Sequence, residues 1–441
     1  MSYRVGVVNL GCAKNLVDTE LMLGQLDAAG FIITPNPREA DVLIVNTCGF
    51  ITPAKEESID QILDLARYKK EGRCRVLLVT GCLAQRYPGD LMKEIPEIDA
   101  ILGAGMVSQV VGTIQRALAG ERVLNVGEPR FEYGADLPRI RTTGKYTAYV
   151  KIAEGCSNRC TYCAIPSIRG PYRSRPLESI QQEVEDLAAK GVKEVILVAQ
   201  DTTFYGLDLY GRRMLARLLR SLNRIPGIHW IRVLYGHPDG INDELVDVFA
   251  SCEKICRYLD LPLQHASPPV LARMGRSNDT AGLRALLHRL RRDIPGLILR
   301  TTFMVGFPGE KEEDFQQLLD FMREMRFERV GVFKFCAEEG TPAASMDCQV
   351  PENVKEERFH RAMALQQQIS LEYNRSLVGS QLKVLVEGKK GNYYSGRTEA
   401  DAPGIDGQVY FTAGRISPRP GDFVPVKITL AREYDLMGEL P

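Results

Sequence analysis

No stretch of this chain reaches the roughly 18 consecutive apolar residues that a membrane-spanning helix needs, and no span is expected. There is no excess of one charge either. Lys and Arg together number 56, as do Asp and Glu, so bulk charge gives no sign of affinity for nucleic acid or membrane. The start, Met1-Ser2-Tyr3-Arg4-Val5, lacks the basic and apolar regions of a secretory signal and enters a strand pattern at once, which predicts a cytoplasmic chain. In that compartment eleven cysteines do not read as a disulfide framework; they point to metal binding or catalysis. At 441 residues the chain is too long for one ordinary core and predicts two to four domains.

The densest group of thiols lies in Glu154-Gly155-Cys156-Ser157-Asn158-Arg159-Cys160-Thr161-Tyr162-Cys163, a Cys-x3-Cys-x2-Cys spacing directly after the apolar run Tyr146 to Ile152. A loop this short can wrap three thiolates around one compact centre but offers no fourth ligand. Structural zinc wants four closed ligands. A cubane iron–sulfur cluster usually takes four thiolates, so three leave one iron open. A zinc knuckle borrowing a distant histidine, or a disulfide with a spare thiol, are the plainer alternatives. With Tyr162 just before the last cysteine, the loop resembles the signature of the radical S-adenosylmethionine enzymes. The resemblance implies that Cys156, Cys160 and Cys163 hold a 4Fe–4S cluster whose open iron chelates the amino and carboxylate groups of S-adenosylmethionine. An electron from that cluster would then release a 5′-deoxyadenosyl radical, with the protein positioning and shielding it.

The first third repeats one design. Arg4 to Cys12, Asp41 to Cys48 and Arg75 to Cys82 are apolar runs that end in cysteine, each followed by a helical pattern (Asn15 to Ala29, Ala54 to Tyr68, and a third after Cys82). Such alternation predicts βαβ units with a buried parallel sheet. All strands of that sheet end on the edge where open α/β folds bind ligands. Cys12, Cys48 and Cys82 are therefore expected to converge and to hold a second iron–sulfur cluster, again with three ligands. Inert core thiols are the alternative for any one of them. Cys74, Cys252, Cys256, Cys336 and Cys348 read as structural, Cys252 and Cys256 standing at helical spacing.

After a loop with Gly127, Pro129, Gly134 and Pro138, six strands are predicted: Tyr146–Ala153, Glu194–Ala199, His229–Leu234, Arg257–Leu261, Leu299–Val305 and Val330–Phe335. With helical stretches between them, such as Leu177–Ala189, Asp243–Phe249, Ala281–Arg292 and Glu312–Met325, they make an open (β/α)6 barrel. Its active-site mouth lies at the strand C-termini. At that mouth the resemblance to the radical family implies that Gln200 and Asp201 meet the cofactor's amino end, Asp201 alternatively capping a helix. Gly306, in Val305-Gly306-Phe307-Pro308-Gly309, permits close approach of an adenine, although Thr302 stands where the family pattern has another glycine. Tyr162 completes the cofactor-binding candidates. Arg169, Arg173 and Arg175 read as a carboxylate grip or, more blandly, a solvated basic loop, and His265 as a structural histidine.

A charged helix, Glu352 to Asn374, leads into Leu382–Val386, Val409–Thr412 and Phe423–Leu430, which predict a small antiparallel barrel. With Gly396-Arg397-Thr398 and Glu433-Tyr434-Asp435-Leu436 this end resembles the TRAM domain, a module that often holds RNA. From Ser376 onward, however, eight Lys and Arg meet eight Asp and Glu, where an RNA grip should be basic. The acidic run from Glu399 to Asp406 is expected to face a basic protein partner or to be a solvated turn.

The whole chain thus predicts an α/β protein of three domains, over 1–135, 142–372 and 376–441. In that order they resemble the methylthiotransferases. Gly11-Cys12-Ala13-Lys14-Asn15-Leu16-Val17-Asp18, Asn46-Thr47-Cys48-Gly49-Phe50, Leu261-Pro262-Leu263-Gln264-His265-Ala266-Ser267 and Ala400-Asp401-Ala402-Pro403 look like the branch that acts on a ribosomal protein. The resemblance implies two 4Fe–4S clusters, S-adenosylmethionine, an external electron donor, and methylthiolation of an aspartate β-carbon in small-subunit ribosomal protein twelve. A tRNA adenosine is the alternative substrate, and direct RNA contact is secondary.

Overall fold

The structure, a computed structural model, describes residues 2–129, 133–134, 137–277, 279–414 and 416–440. The expected domain limits at 1, 135 and 441 lie outside those residues. The N-terminal part is a six-stranded parallel sheet in the spatial order Ile32–Ile33, Arg4–Asn9, Val42–Thr47, Val76–Gly81, Ala100–Leu102, Val123–Asn125. Its strands alternate between two cores: Val42 and Ile44 pack toward the helices Ala13–Ala28 and Val110–Leu118, while Leu43 and Val45 pack toward Thr52–Ala66. The pairing is level at the C-terminal edge, with Asn9 opposite Asn46 and Asn46 opposite Thr80. Cys12, Cys48 and Cys82 therefore leave the sheet within a residue or so of one another.

Two glycines make this convergence possible. Gly81 has φ +93°, and a Cβ there would come within 2.5 Å of the Thr47 carbonyl oxygen. Gly11, at φ +90°, lies against Cys48 Cβ. Both conformations are open to glycine and costly for other L-residues.

The central sheet also has six parallel strands, ordered Arg329–Lys334, Ile298–Val305, Ile255–Asp260, Trp230–Val233, Glu194–Val198, Thr147–Lys151. Its end strands do not pair with each other, which leaves the barrel open. Val195, Leu197, Ile231, Leu259 and Leu299 face the surrounding helices and build the largest core. Cys256 sits within the strand Ile255–Asp260, and Cys252 terminates the helix Asp243–Ser251. The helical spacing expected of that pair is corrected: β-branched and aromatic neighbours outweigh a four-residue interval.

The helix Glu352–Ser376 leads to a closed barrel of five strands, in the order Gln381–Lys390, Tyr393–Arg397, Val409–Ala413, Leu436–Leu440, Phe423–Ala431. Val409–Ala413 and Leu436–Leu440 run parallel, so the fully antiparallel expectation is also corrected.

Two of the three acids in the run, Asp401 and Asp406, turn inward rather than toward a partner or solvent, while Glu399 stays exposed. The central sheet presents Glu194, Arg232, Tyr258 and Arg300 on the side away from its helices, and this is where the run inserts. Asp401 pairs with Arg329 at 2.8 Å, Asp406 accepts from the Tyr258 hydroxyl at 2.6 Å, and Arg232 donates to the Glu399 carbonyl. Arg397 bonds Glu194 at 2.6 Å. The run is acidic because the inner face of the open barrel is rich in arginine. Such desolvated pairs specify how the domains dock more than they add stability.

Candidate active site

The loop after the first central strand is held from both sides. Cys156 N donates to the Gly170 carbonyl and Thr161 N to the Met274 carbonyl, while Asn158 Nδ2 reaches Asp201 Oδ2 at 3.0 Å. Gly155 takes φ +80°, with the Pro171 carbonyl oxygen 2.1 Å from where a Cβ would stand. This close approach aims Cys156, Cys160 and Cys163 inward over the mouth of the barrel. The backbone amides of Asn158 and Ile165 favour the thiolates of Cys156 and Cys163 against the effect of burial. Burial pushes the Cys163 thiol up to about 12.

On the facing sheet edge Cys12 stands at the N-terminus of the helix Ala13–Ala28 without a side-chain cap bond, and the first-turn amides of Lys14 and Asn15 favour its thiolate. Burial raises Cys12, but Lys14, the Asn15 amide and Arg169 together bring it below the ordinary thiol range. Cys48 is pushed up to about 11 by burial. Cys82 is raised by burial against the pull of Arg169.

All six of these cysteines line one cavity of about 330 Å³. Cys82 packs on Ala164 and Ile168, just beyond Cys163, so the two triads are adjacent walls. The remaining cysteines stay out of it: Cys74 bonds the Val76 carbonyl and Cys336 lies 3.3 Å from Glu338.

Beneath the cavity a chain of buried polar groups joins the two sheets. Arg169, 2% exposed, donates through Nη1 to Asp18 (3.0 Å) and Glu154 (3.1 Å) and through Nη2 to Asn15 and to Cys82 Sγ (3.3 Å). Lys151 bridges the same two carboxylates. Burial would raise Glu154, yet Lys151 and Arg169 hold it far below the usual carboxylate range. Gln200 Nε2 completes the chain on Glu154.

The solvated-loop reading of the arginines is therefore corrected. Arg169 is an interior strut, and Arg175 is buried on Glu183 and the Lys151 carbonyl. Only Arg173 is half-buried on backbone carbonyls. Asp201 caps the turn Thr202–Phe204 and also lines the cavity. Tyr162 lines it with its ring edge against Phe307. Gly306 is not among the lining residues; the place of its missing side chain is filled by Lys355. His265 is fully buried, with Nδ1 accepting from Ser267 N and Nε2 3.6 Å from Glu310.

Residues missed in the sequence also reach the cavity: Lys14, Asn158, Tyr235, Gln264 and Arg276. Tyr235 and Gln264 are non-glycine residues at φ +61° and +72°, the kind of strain that gathers at functional sites. Lys14, Asn158 and Gln264 stand inside the stretches that carry the family resemblance, which is the signal that points to them; one-dimensional patterning carries none for Tyr235 and Arg276.

The donor set fits cubane clusters better than a bare ion. Among the described residues no three His, Cys, Asp or Glu side chains converge on one ion position; thiolates round a cubane each bind a separate iron and need not converge. Amides and cations directed at the sulfurs suit an anionic cluster. Gln200 Oε1 is buried without a hydrogen-bond partner, which leaves an acceptor for an ammonium group.

Comparison with known proteins agrees with this geometry. Residues 4–103 match the uncharacterized protein family UPF0004, 150–322 the Radical SAM superfamily and 378–440 the TRAM domain. Among solved structures, the radical S-adenosylmethionine methyltransferase TsrM from Kitasatospora setae shares the fold, with TM-score 0.58 and 16% identity over 90% of this chain and 77% of that one. The class is thus a radical S-adenosylmethionine enzyme. Proteins named ribosomal protein uS12 methylthiotransferase RimO are 57% identical in Pelotomaculum thermopropionicum, over 100% of this chain and 99% of that protein. In Desulforamulus reducens the identity is 54%, over 99% of each. The chain belongs to the RimO family of ribosomal protein uS12 methylthiotransferases.

Proposed function

We propose that this enzyme methylthiolates the β-carbon of an aspartate in ribosomal protein uS12, within one cavity walled by two three-thiol sites. The observation that supports this most directly is that Cys12, Cys48, Cys82, Cys156, Cys160 and Cys163 all line it. Cys156, Cys160 and Cys163 hold the cluster that engages S-adenosylmethionine, and Cys12, Cys48 and Cys82 hold the cluster that carries sulfur. When bound, these groups supply the radical that removes hydrogen from an unactivated carbon and the methylthio group that replaces it. A side-chain base could not do the first, because that carbon is too weakly acidic.

The protein's own residues position and seal. Gln200 Oε1, with Asp201 and Tyr162 beside it, receives the polar end of S-adenosylmethionine. Arg169, Lys151 and Glu154 lock the two walls at a fixed separation. The division at 1–135, 142–372 and 376–441 belongs to the same reading, as do an external electron donor and work in the cytoplasm. Among the described residues no helix is long and apolar enough to cross a membrane. The tRNA alternative is not favoured, since the full-length relatives carry the uS12 name.

The test is incubation of reduced, reconstituted enzyme with uS12 and S-adenosylmethionine. A methylthio mass gain on uS12 is expected, together with 5′-deoxyadenosine. Iron and sulfide per chain should fall by half in Cys12→Ala and in Cys160→Ala. No mass gain on uS12, or a single cluster in the parent enzyme, would refute the reading.

A further inference from the structure

Lys14 follows Cys12 into the shared cavity, and its ammonium nitrogen stands 3.5 Å from the centre of the Tyr235 ring. The ring is a fixed platform. Tyr235 N donates to Asp260 Oδ2, its carbonyl accepts from Thr202 N, and its φ of +61° is held by those bonds. Among the described residues Lys14 has no hydrogen-bonding or ion-pair partner. The neighbouring acids are already taken: Asp18 and Glu154 by Lys151 and Arg169, and Asp201 by its own cap and Asn158. The cavity's other cation, Arg276, donates to the Pro262 carbonyl at 2.9 Å and reaches toward Cys160 Sγ at 3.9 Å. Among the described residues Lys14 alone faces the cavity as a cation that no carboxylate or carbonyl engages, and a sheltered cation favours an anionic partner. An aromatic face steadies the ammonium but leaves its donors free.

We propose that Lys14 is the binding residue for the carboxylate of the substrate aspartate, and that it makes the enzyme selective for an acidic side chain. The inference rests on the substrate reading given above. A carboxylate is bonded directly to the carbon that reacts. Anchoring it beside Cys12 therefore holds that carbon one bond away, in space bounded by both thiol triads. A neutral residue at position 14 would leave the carbon free to swing and the carboxylate desolvated without a partner.

The experiment is a two-by-two comparison of binding, with reconstituted parent enzyme and Lys14→Met against uS12 and uS12 carrying asparagine in place of the modified aspartate. The parent should bind the aspartate form about tenfold to a hundredfold more tightly than the asparagine form, the range for a charge-assisted hydrogen bond. Lys14→Met should lose that preference while its affinity for the asparagine form stays within about twofold, so that the two losses do not add. Iron and sulfide content should be unchanged, and Lys14→Arg should restore part of the preference. If Lys14→Met keeps the parent's preference, the proposal is overturned. A drop in iron with that preference intact also overturns it, and assigns Lys14 to balancing the charge of the Cys12 site. If the parent enzyme modifies no uS12, the substrate reading itself fails, and this proposal falls with it.

Discussion

Replacing Arg169 by methionine keeps the length of the side chain and removes the charge that joins the two halves of the site. The structure sets the size of the effect. Arg169 Nη1 serves Asp18 and Glu154 at 3.0 and 3.1 Å, and Nη2 serves Asn15 and the Cys82 sulfur. Without it, Lys151 is the one cation left to these two buried carboxylates. Breaking one partner of a buried ion pair costs about 3–5 kcal/mol. A three-domain chain does not unfold in two states, so the local opening is the quantity to read. Amide exchange in the helix Ala13–Ala28 should quicken by about a hundredfold or more at neutral pH, at 1.36 kcal/mol per tenfold.

The pH dependence has a definite sign. Glu154 is held below its ordinary range in the folded protein, so its contribution is complete above the unfolded value of about 4.3. That contribution is lost only as pH falls through the depressed folded value. In Arg169→Met the folded value rises, so Glu154 takes up its proton at higher pH than in the parent and sheds a charge that Lys151 must otherwise share with Asp18. The deficit between parent and variant should therefore be largest at pH 7 and shrink toward pH 4. An Arg169→Met protein whose helix exchanges within threefold of the parent at pH 7, or whose deficit grows on acidification, would refute the reasoning.

Three further outcomes are expected. In metal-free enzyme at pH 8, alkylation followed by peptide mapping should mark Cys12 before Cys48 or Cys163, since burial lifts the latter two to about 11 and about 12 while Lys14 and backbone amides hold Cys12 down; equal rates would count against the charge arrangement. Gly155→Ala should fold but bind about half the iron of the parent, because its Cβ would meet the Pro171 carbonyl at 2.1 Å in a backbone conformation costing about 1–2 kcal/mol for alanine. Asp401→Ala leaves Arg329 buried and unpaired, at a cost of about 3–5 kcal/mol, and limited proteolysis should release the C-terminal barrel; Asp406→Asn, which keeps an acceptor for Tyr258 at a position where burial already raises the acid, should release far less.

What could be read in one dimension was whatever repeats locally. Six central strands and the helices Leu177–Ala189 and Glu312–Met325 stood out because apolar spacing is a property of neighbours in sequence. The three strand-end cysteines were visible because one short design occurs three times. The short strands Ile32–Ile33, Ala100–Leu102 and Val123–Asn125 were not, since two or three residues cannot show a period. Polar residues were misread for a different reason. Arg169, Arg175, Asp401 and Asp406 look solvated in a chain, because a charged residue carries no mark of the partner that will bury it. Asp18 lies 151 positions from Arg169 and Asp401 lies 72 from Arg329.

The interior of the barrel is hidden from the sequence for the same reason. Strand alternation reveals which residues face helices, but the opposite face here is charged and is filled by a loop from another domain. An open barrel with Glu194, Arg232 and Arg300 on its inner face would otherwise admit water from below. The C-terminal domain closes that side with Asp401 and Asp406, and the N-terminal sheet covers the mouth above. Both closures restrict water around a cavity meant for a radical, which needs a shielded site. The TRAM-like module is thereby fastened to the underside of the barrel through Asp401 and Asp406, whatever its outer surface binds.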